Sequence, residues 1–309
     1  MTAVRKLPVN LRAVFLVLTA GALIPAGCSV GADGGRGTPL TDALGRTFLP
    51  PAAVERIVSL SPAVTEILFA IGAGDRVAGV TAYCDYPPEA LSRTKVGGFS
   101  GIQVSIEQIA ALKPDLVILS ADMHGRVAGL LEELSIPSFA VEPRSFDGLY
   151  ETVAILGRLT GCGEGAAETV QTMKDKIALA AEGRTAAPRP LVYWELSGEP
   201  LISVGGGSFL NEAISLGGGT NIFGELDQDW PPVSAEQVLV RRPGWIFTGD
   251  DHGAGVLSFA GRPGWEDLPA VREGRVVVVD AGLFYRYGPR LADGVLEIAR
   301  ILRGEGQAP

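Results

Sequence analysis

The sequence predicts an α/β protein of two lobes, each built around a mainly parallel sheet and bridged by one long helix. Three observations carry this: a repeat at an offset of 129 residues, short apolar runs bounded by Pro and polar turns, and a proline-free helical stretch between the two copies. A chain of 309 residues with 47% hydrophobic and 20% charged content is long enough for two cores, since single cores stop growing near ~250 residues.

The repeat fixes the halves. Val104-Ser105-Ile106-Glu107-Gln108 recurs as Val233-Ser234-Ala235-Glu236-Gln237, and Lys113-Pro114 recurs as Arg242-Pro243. In each copy a Ser stands three residues before a Gln, the spacing of a capping box, and a Pro closes the short helix. Apolar runs follow, Leu116–Leu119 in one copy and Trp245–Phe247 in the other; runs of this length suit buried parallel strands. A weaker echo pairs Ile57–Leu60 and the helical pattern ending at Gly72-Ala73-Gly74 with Leu201–Val204 and the pattern ending at Gly217-Gly218-Gly219. Both halves are therefore expected to open with a strand followed by a helix. Residues 163–183 are rich in helix formers and contain no proline, and about 20 helical residues span ~30 Å, enough to join two lobes.

The expected organisation is residues 1–27 as an export signal, 28–39 as a flexible tether, 40–162 as the first lobe, 163–183 as the linking helix and 184–309 as the second lobe. Arg5, Lys6 and Arg12, then an apolar run from Ala13 to Ile24, then Ala26 and Gly27, follow the order of such a signal; the run is too short for the ~20 residues of a membrane span. Ile24-Pro25-Ala26-Gly27-Cys28 resembles a lipobox, with Pro25 departing from the usual pattern, so Cys28 is the candidate for lipidation and for anchoring an otherwise extracytoplasmic protein. Loss of the signal leaves 23 basic against 35 acidic residues, a surface that repels nucleic acid. Cys84 and Cys162 are isolated in sequence and are expected to be two independent thiols.

Several segments together resemble the solute-binding proteins of bacterial ABC importers, in the class that captures cobalamin, iron-siderophores or haem. Asp42-Ala43-Leu44-Gly45-Arg46 is similar to the family's N-terminal hairpin, and Arg56-Ile57-Val58-Ser59-Leu60-Ser61-Pro62 with Thr65-Glu66 to its opening strand and helix. Tyr83-Cys84-Asp85-Tyr86-Pro87-Pro88-Glu89-Ala90, Leu112–Val117, Trp230-Pro231 with Val233-Ser234, and Arg286-Tyr287-Gly288-Pro289-Arg290 extend the likeness over roughly residues 40 to 303. The Tyr83 and Trp230 segments are most similar to the cobalamin-binding branch.

The resemblance implies two Rossmann-like lobes with a ligand cleft between them, little hinging, and delivery of the ligand to a dimeric permease driven by ATPase subunits. It implies a monomeric binding protein rather than an enzyme, with no cofactor of its own and a transported metal chelate as ligand: a corrinoid first, a ferric siderophore or haem as the alternative. An exported α/β enzyme is the distant alternative, because no phosphate loop or Gly-x-Ser-x-Gly elbow occurs.

Flat chelates are held by aromatic faces with a few placed polar groups. The expected ligand contacts are Tyr83, Phe99 and Trp230, matched to the cobalamin-binding branch, with Tyr285, Arg286 and Arg290 beside Gly288-Pro289. An arginine there binds a carboxylate or phosphate, or else an ion pair pins the loop. Tyr285 and Tyr287 alternate, so at most one faces the cleft if the chain is extended. His124 and His252 follow equivalent strands at loops expected to line the cleft; each is either an axial ligand on cobalt or iron or a solvated loop histidine. Glu107 and Glu236 sit in the first turn of the repeated helix. An acid there complements the helix dipole, and the resemblance adds docking of the two lobes onto arginines of the two permease subunits.

Overall fold

A computed structural model of the chain describes residues 38–98, 100–101, 103–183, 188–250 and 256–305. Cys28, Phe99 and His252 lie outside the described residues, as do the expected signal and most of the tether. No described helix is long and apolar enough to cross a membrane.

The first described elements are a two-stranded antiparallel hairpin, β1 (Leu40–Thr41) and β2 (Thr47–Phe48). Its turn is held by Asp42, whose carboxylate accepts from the Leu44 and Arg46 amides and from the Arg46 guanidinium, and reaches the amide of Ala140 at 3.2 Å. One buried carboxylate thus both closes the hairpin and fastens it to the neighbouring sheet.

That sheet has five parallel strands: β3 (Ile57–Ser59), β4 (Val77–Val80), β5 (Thr94–Lys95), β6 (Leu116–Ser120) and β7 (Ser138–Val141), in the order β5-β4-β3-β6-β7. The connections carry α1 (Pro62–Ala70), α2 (Ile106–Ala111) and α3 (Ala121–Glu133), and α4 (Phe146–Thr160) follows β7. The central strands are buried along their length and rich in Val, Ile and Leu, as parallel strands covered on both faces must be.

α5 (Gly163–Ala181) then passes to the second half. Its Gly165 lies against the carbonyl of Ile71 so closely that a Cβ would clash, and Thr169 Oγ1 donates to the Ala70 carbonyl at 3.3 Å. The second sheet has β8 (Leu191–Gly198), β9 (Leu201–Ser203), β10 (Thr220–Asn221), β11 (Trp245–Gly249) and β12 (Val276–Val279). Its parallel order is β10-β8-β11-β12, with β9 folded back antiparallel on β8. Helices α6 (Phe209–Leu216), α7 (Ala235–Arg241), α8 (Val256–Ala260), α9 (Pro269–Arg272), α10 (Ala281–Phe284) and α11 (Leu291–Leu302) accompany it. Lys176 on α5 pairs with Asp293 at 2.6 Å, and Arg303 donates to the carbonyls of Ala180 and Glu182. The helix is therefore fastened at both ends, and the buried cluster containing Ala166, Met173 and Ala180 draws side chains from both sheets.

The repeat is visible in atomic detail. Ser105 and Ser234 each accept from the amide of the Gln three residues on, and Gln237 returns the bond to complete a capping box. Lys113 and Arg242, at the same repeat position, share a left-handed φ of 48°. The weaker echo is corrected: the second half opens with β8, and Leu201–Ser203 is a short antiparallel hairpin strand rather than the counterpart of β3. Cys84 is a buried free thiol, whereas Cys162 is engaged in a disulfide, so the expectation of two independent thiols holds for Cys84 alone.

Candidate functional site

In a parallel sheet the loops beyond the carboxyl ends of the strands face one way, and here the two sheets turn those ends toward each other. A cavity of about 300 Å³ opens between them. From the first half come Ser61 and Pro62 after β3, the start of α3 after β6, and Glu142 to Arg144 after β7; from the second come Gly207, Phe209, Asp229, Trp230 and Tyr285 to Tyr287.

One wall is aromatic. Trp230 meets Phe209 edge-on at 5.8 Å, Phe209 stacks on Tyr287 at 4.6 Å with planes 13° apart, and Tyr287 meets Phe146 of the first half at 6.5 Å. Stacked and edge-on pairs at these distances are favourable beyond their burial. Glycine makes the wall possible: Gly205, Gly206 and Gly207 hydrogen-bond through their amides to the carbonyls of Asp229, Leu226 and Gln228, and a Cβ on any of the three would strike the 224–229 segment. The glycine run thus lets the Phe209 and Trp230 loops lie side by side. Trp230 remains 42% exposed, available to a ligand.

The two halves are also joined by charge. Glu66, buried on α1, accepts from Arg290 Nε at 3.0 Å and Nη2 at 2.8 Å, and from Arg286 at 3.4 Å. Arg286 also pairs with Asp85 through both nitrogens, one bond being 2.9 Å long, and donates to the Tyr83 carbonyl. The Arg286 hydrogen bond holds the Asp85 carboxyl below its usual range, and Asp85 in turn raises Arg286. For Arg290, burial works against the charged form and Glu66 outweighs it. Its guanidinium lies 3.7 Å from the centre of the Tyr86 ring.

Trp230, Tyr285, Arg286 and His124 are brought together on the cavity, whereas Tyr83 and Arg290 do not line it. Tyr285 and Tyr287 both do, because a helical turn, α10, precedes them and removes the alternation of an extended chain. His124 is not in a loop: Ser120 caps α3 directly after β6, and the histidine is buried within that helix at a local break, φ −127° and ψ 16°. Among the described residues no group of three or more His, Cys, Asp or Glu is placed to hold a metal. Burial pushes the Tyr287 phenol well above its ordinary range, so it stays protonated.

Glu107 and Glu236 lie away from the cavity, exposed in the first turns of α2 and α7. Each carboxyl is held below its usual value first by its own backbone amide and then by the capping Ser, Ser105 or Ser234. The two lobes therefore present the same acid in the same local setting. Phe209, Glu66 and Arg144 join the candidate site only through the fold, and Tyr287 faces the cavity together with Tyr285.

The periplasmic binding protein family model matches residues 57–283. A vitamin B12-binding protein of Vibrio cholerae serotype O1 is 32% identical over 257 residues, covering 82% of this chain and 91% of that protein. The crystal structure of the periplasmic vitamin B12-binding protein of Vibrio cholerae superposes with a TM-score of 0.70 at 30% identity, covering 82% of this chain and 99% of the other. A periplasmic haem-binding protein from Roseiflexus sp. RS-1 in apo form superposes with a TM-score of 0.71 at 26% identity, covering 82% and 100%. With its two parallel sheets, bridging helix and interlobe cleft, the chain belongs to the periplasmic binding protein family, whose members bind and deliver solutes rather than transform them.

Proposed function

We propose that this chain is the extracytoplasmic receptor of an ABC importer and that it captures a corrinoid in the interlobe cleft. The aromatic wall of Trp230, Phe209 and Tyr287 is the observation that carries the ligand class, because a large flat chelate gains most from a continuous ring surface. Similarity to vitamin B12-binding proteins at 32% identity supports the choice of corrin. Tyr285 and Arg286 line the same cavity, and Arg286 is fixed there by Asp85 and Glu66. Arg290 acts through Glu66, which also accepts from Arg286, rather than by touching ligand.

The alternative ligand is haem or a ferric siderophore. His124 borders the cavity but is buried within α3, and an axial imidazole would serve cobalt as well as iron, so it favours neither ligand over the other. Protein purified from cells supplied with cobinamide separates the two: a red corrinoid spectrum at one equivalent supports the reading, and a haem or ferric-siderophore spectrum replaces it.

Docking is assigned to Glu107 and Glu236, a pseudo-twofold acidic pair suited to arginines on a twofold permease with its ATPase subunits. Lipid anchoring is assigned to Cys28. A lipid thioether leaves that sulfur no place in a disulfide, and Cys84 is free, so intact mass without reduction decides between an anchored chain and an oxidised one.

A further inference from the structure

Every guanidinium among the described residues lining the cleft already has carboxylate partners within the protein. Arg144 donates to Asp122 at 2.7 Å and pairs with Asp229 of the opposite lobe at 3.6 Å. Arg286 is held by Asp85 and Glu66. The acids are not balanced in the same way. Asp122, Glu142 and Asp229 line the cavity, and with Arg286 already held by Asp85 and Glu66 only Arg144 is left to offset them. Among the described residues Glu142 meets two donors, Ser120 Oγ at 2.6 Å and the Asp122 amide at 3.2 Å, both through Oε2.

We propose that this cleft selects by charge, admitting a neutral or cationic metal chelate edged with amide donors and excluding chelates edged with carboxylates or catecholates. The inference rests on the reading that the cleft holds a flat metal chelate. An anionic edge has two ways in. It can draw Arg144 from Asp122 and Asp229, leaving two carboxylates unpaired, or it can lie beside Glu142, where like charges a few ångströms apart repel. An amide edge meets neither obstacle, because its N–H groups donate to the other oxygen of Glu142. Discrimination of this kind comes from repulsion of the wrong ligand as much as attraction of the right one. The net charge of −9 over the whole chain acts in the same sense on approach.

Quenching of tryptophan fluorescence in the full mature protein at low salt tests this with two matched pairs: haemin and its dimethyl ester, and cobinamide and cobyrinic acid. In each pair the uncharged edge should bind at least about tenfold more tightly. Asp122→Asn with Asp229→Asn frees Arg144, and should shrink the haemin ratio to below about threefold by strengthening haemin. Equal affinity within either pair in the wild type overturns the inference, as does a ratio unchanged in a double variant whose melting curve shows it folded. If the ester beats haemin while neither corrinoid binds, charge selection stands and the corrinoid reading falls. If cobinamide and cobyrinic acid bind equally, the corrinoid reading stands and charge selection falls. Failure of all four to bind overturns both.

Discussion

Replacing Glu66 by Gln should loosen the join between the lobes. The carboxylate is 2% exposed and accepts from Arg290 twice and from Arg286 once, both guanidiniums being only 18–20% exposed. Breaking a buried pair on one side costs about 3–5 kcal/mol, because the partner's charge stays buried without compensation. Two features reduce this: Arg286 keeps Asp85, and Arg290 keeps the Gly282 carbonyl and the Tyr86 ring. A loss of about 2–3 kcal/mol is expected, which at roughly 2–4 °C per kcal/mol lowers the melting temperature by about 4–12 °C. Urea denaturation of Glu66→Gln, Arg290→Gln and the double variant gives the coupling directly. Single losses that sum to the double loss within about 0.5 kcal/mol would refute the reasoning, since they would show that Glu66 and Arg290 do not act on one another.

Trp230→Ala should weaken ligand binding by about 1–3 kcal/mol, the worth of one large apolar side chain, and Phe209→Ala should do so through the lost stack as well; calorimetric titration measures both. Replacing Glu107 and Glu236 together by Gln should leave ligand affinity nearly intact while strongly reducing complex formation with the permease in low salt, and Arg at both positions should be worse; pull-down with reconstituted permease reads this. Asp85 is depressed in the folded state, so its stabilisation is complete above the ordinary carboxyl pKa of about 4 and lost as pH falls through the folded value. The melting temperature should therefore be insensitive to this pair from pH 8 to about 5, and Asp85→Asn should remove part of the decline below about pH 4.

The two α/β halves are legible in the chain because the repeat brings a cap, a helix end and a strand in fixed order. The shared φ of 48° at Lys113 and Arg242 shows that the offset reflects common geometry. β8 escapes notice because its run carries Glu195, a polar residue inside a buried strand. Arg262 accounts for it, clamping that carboxylate at 2.6 and 2.7 Å from far along the chain. Arg286 and Arg290 stand out as a motif, yet their partners Glu66 and Asp85 lie 201 to 224 positions away, and no local pattern joins them. His124 reads as a loop residue in the sequence because a turn is expected after the strand, whereas Ser120 serves both as the end of β6 and as the cap of α3. Phe209 follows the Gly205–Gly207 run, which carries no side chain to mark it as part of a site. Its role depends on how closely those glycines let the Trp230 loop approach.

Calorimetric titration of the purified protein with cobinamide, cobalamin, haemin and several ferric siderophores tests the central claim most directly. The account predicts one corrinoid bound per chain with a binding heat diminished in Trp230→Ala, and weaker or absent binding of haemin. Tight binding of haemin or a ferric siderophore, with no heat from either corrinoid at high protein concentration, would contradict it.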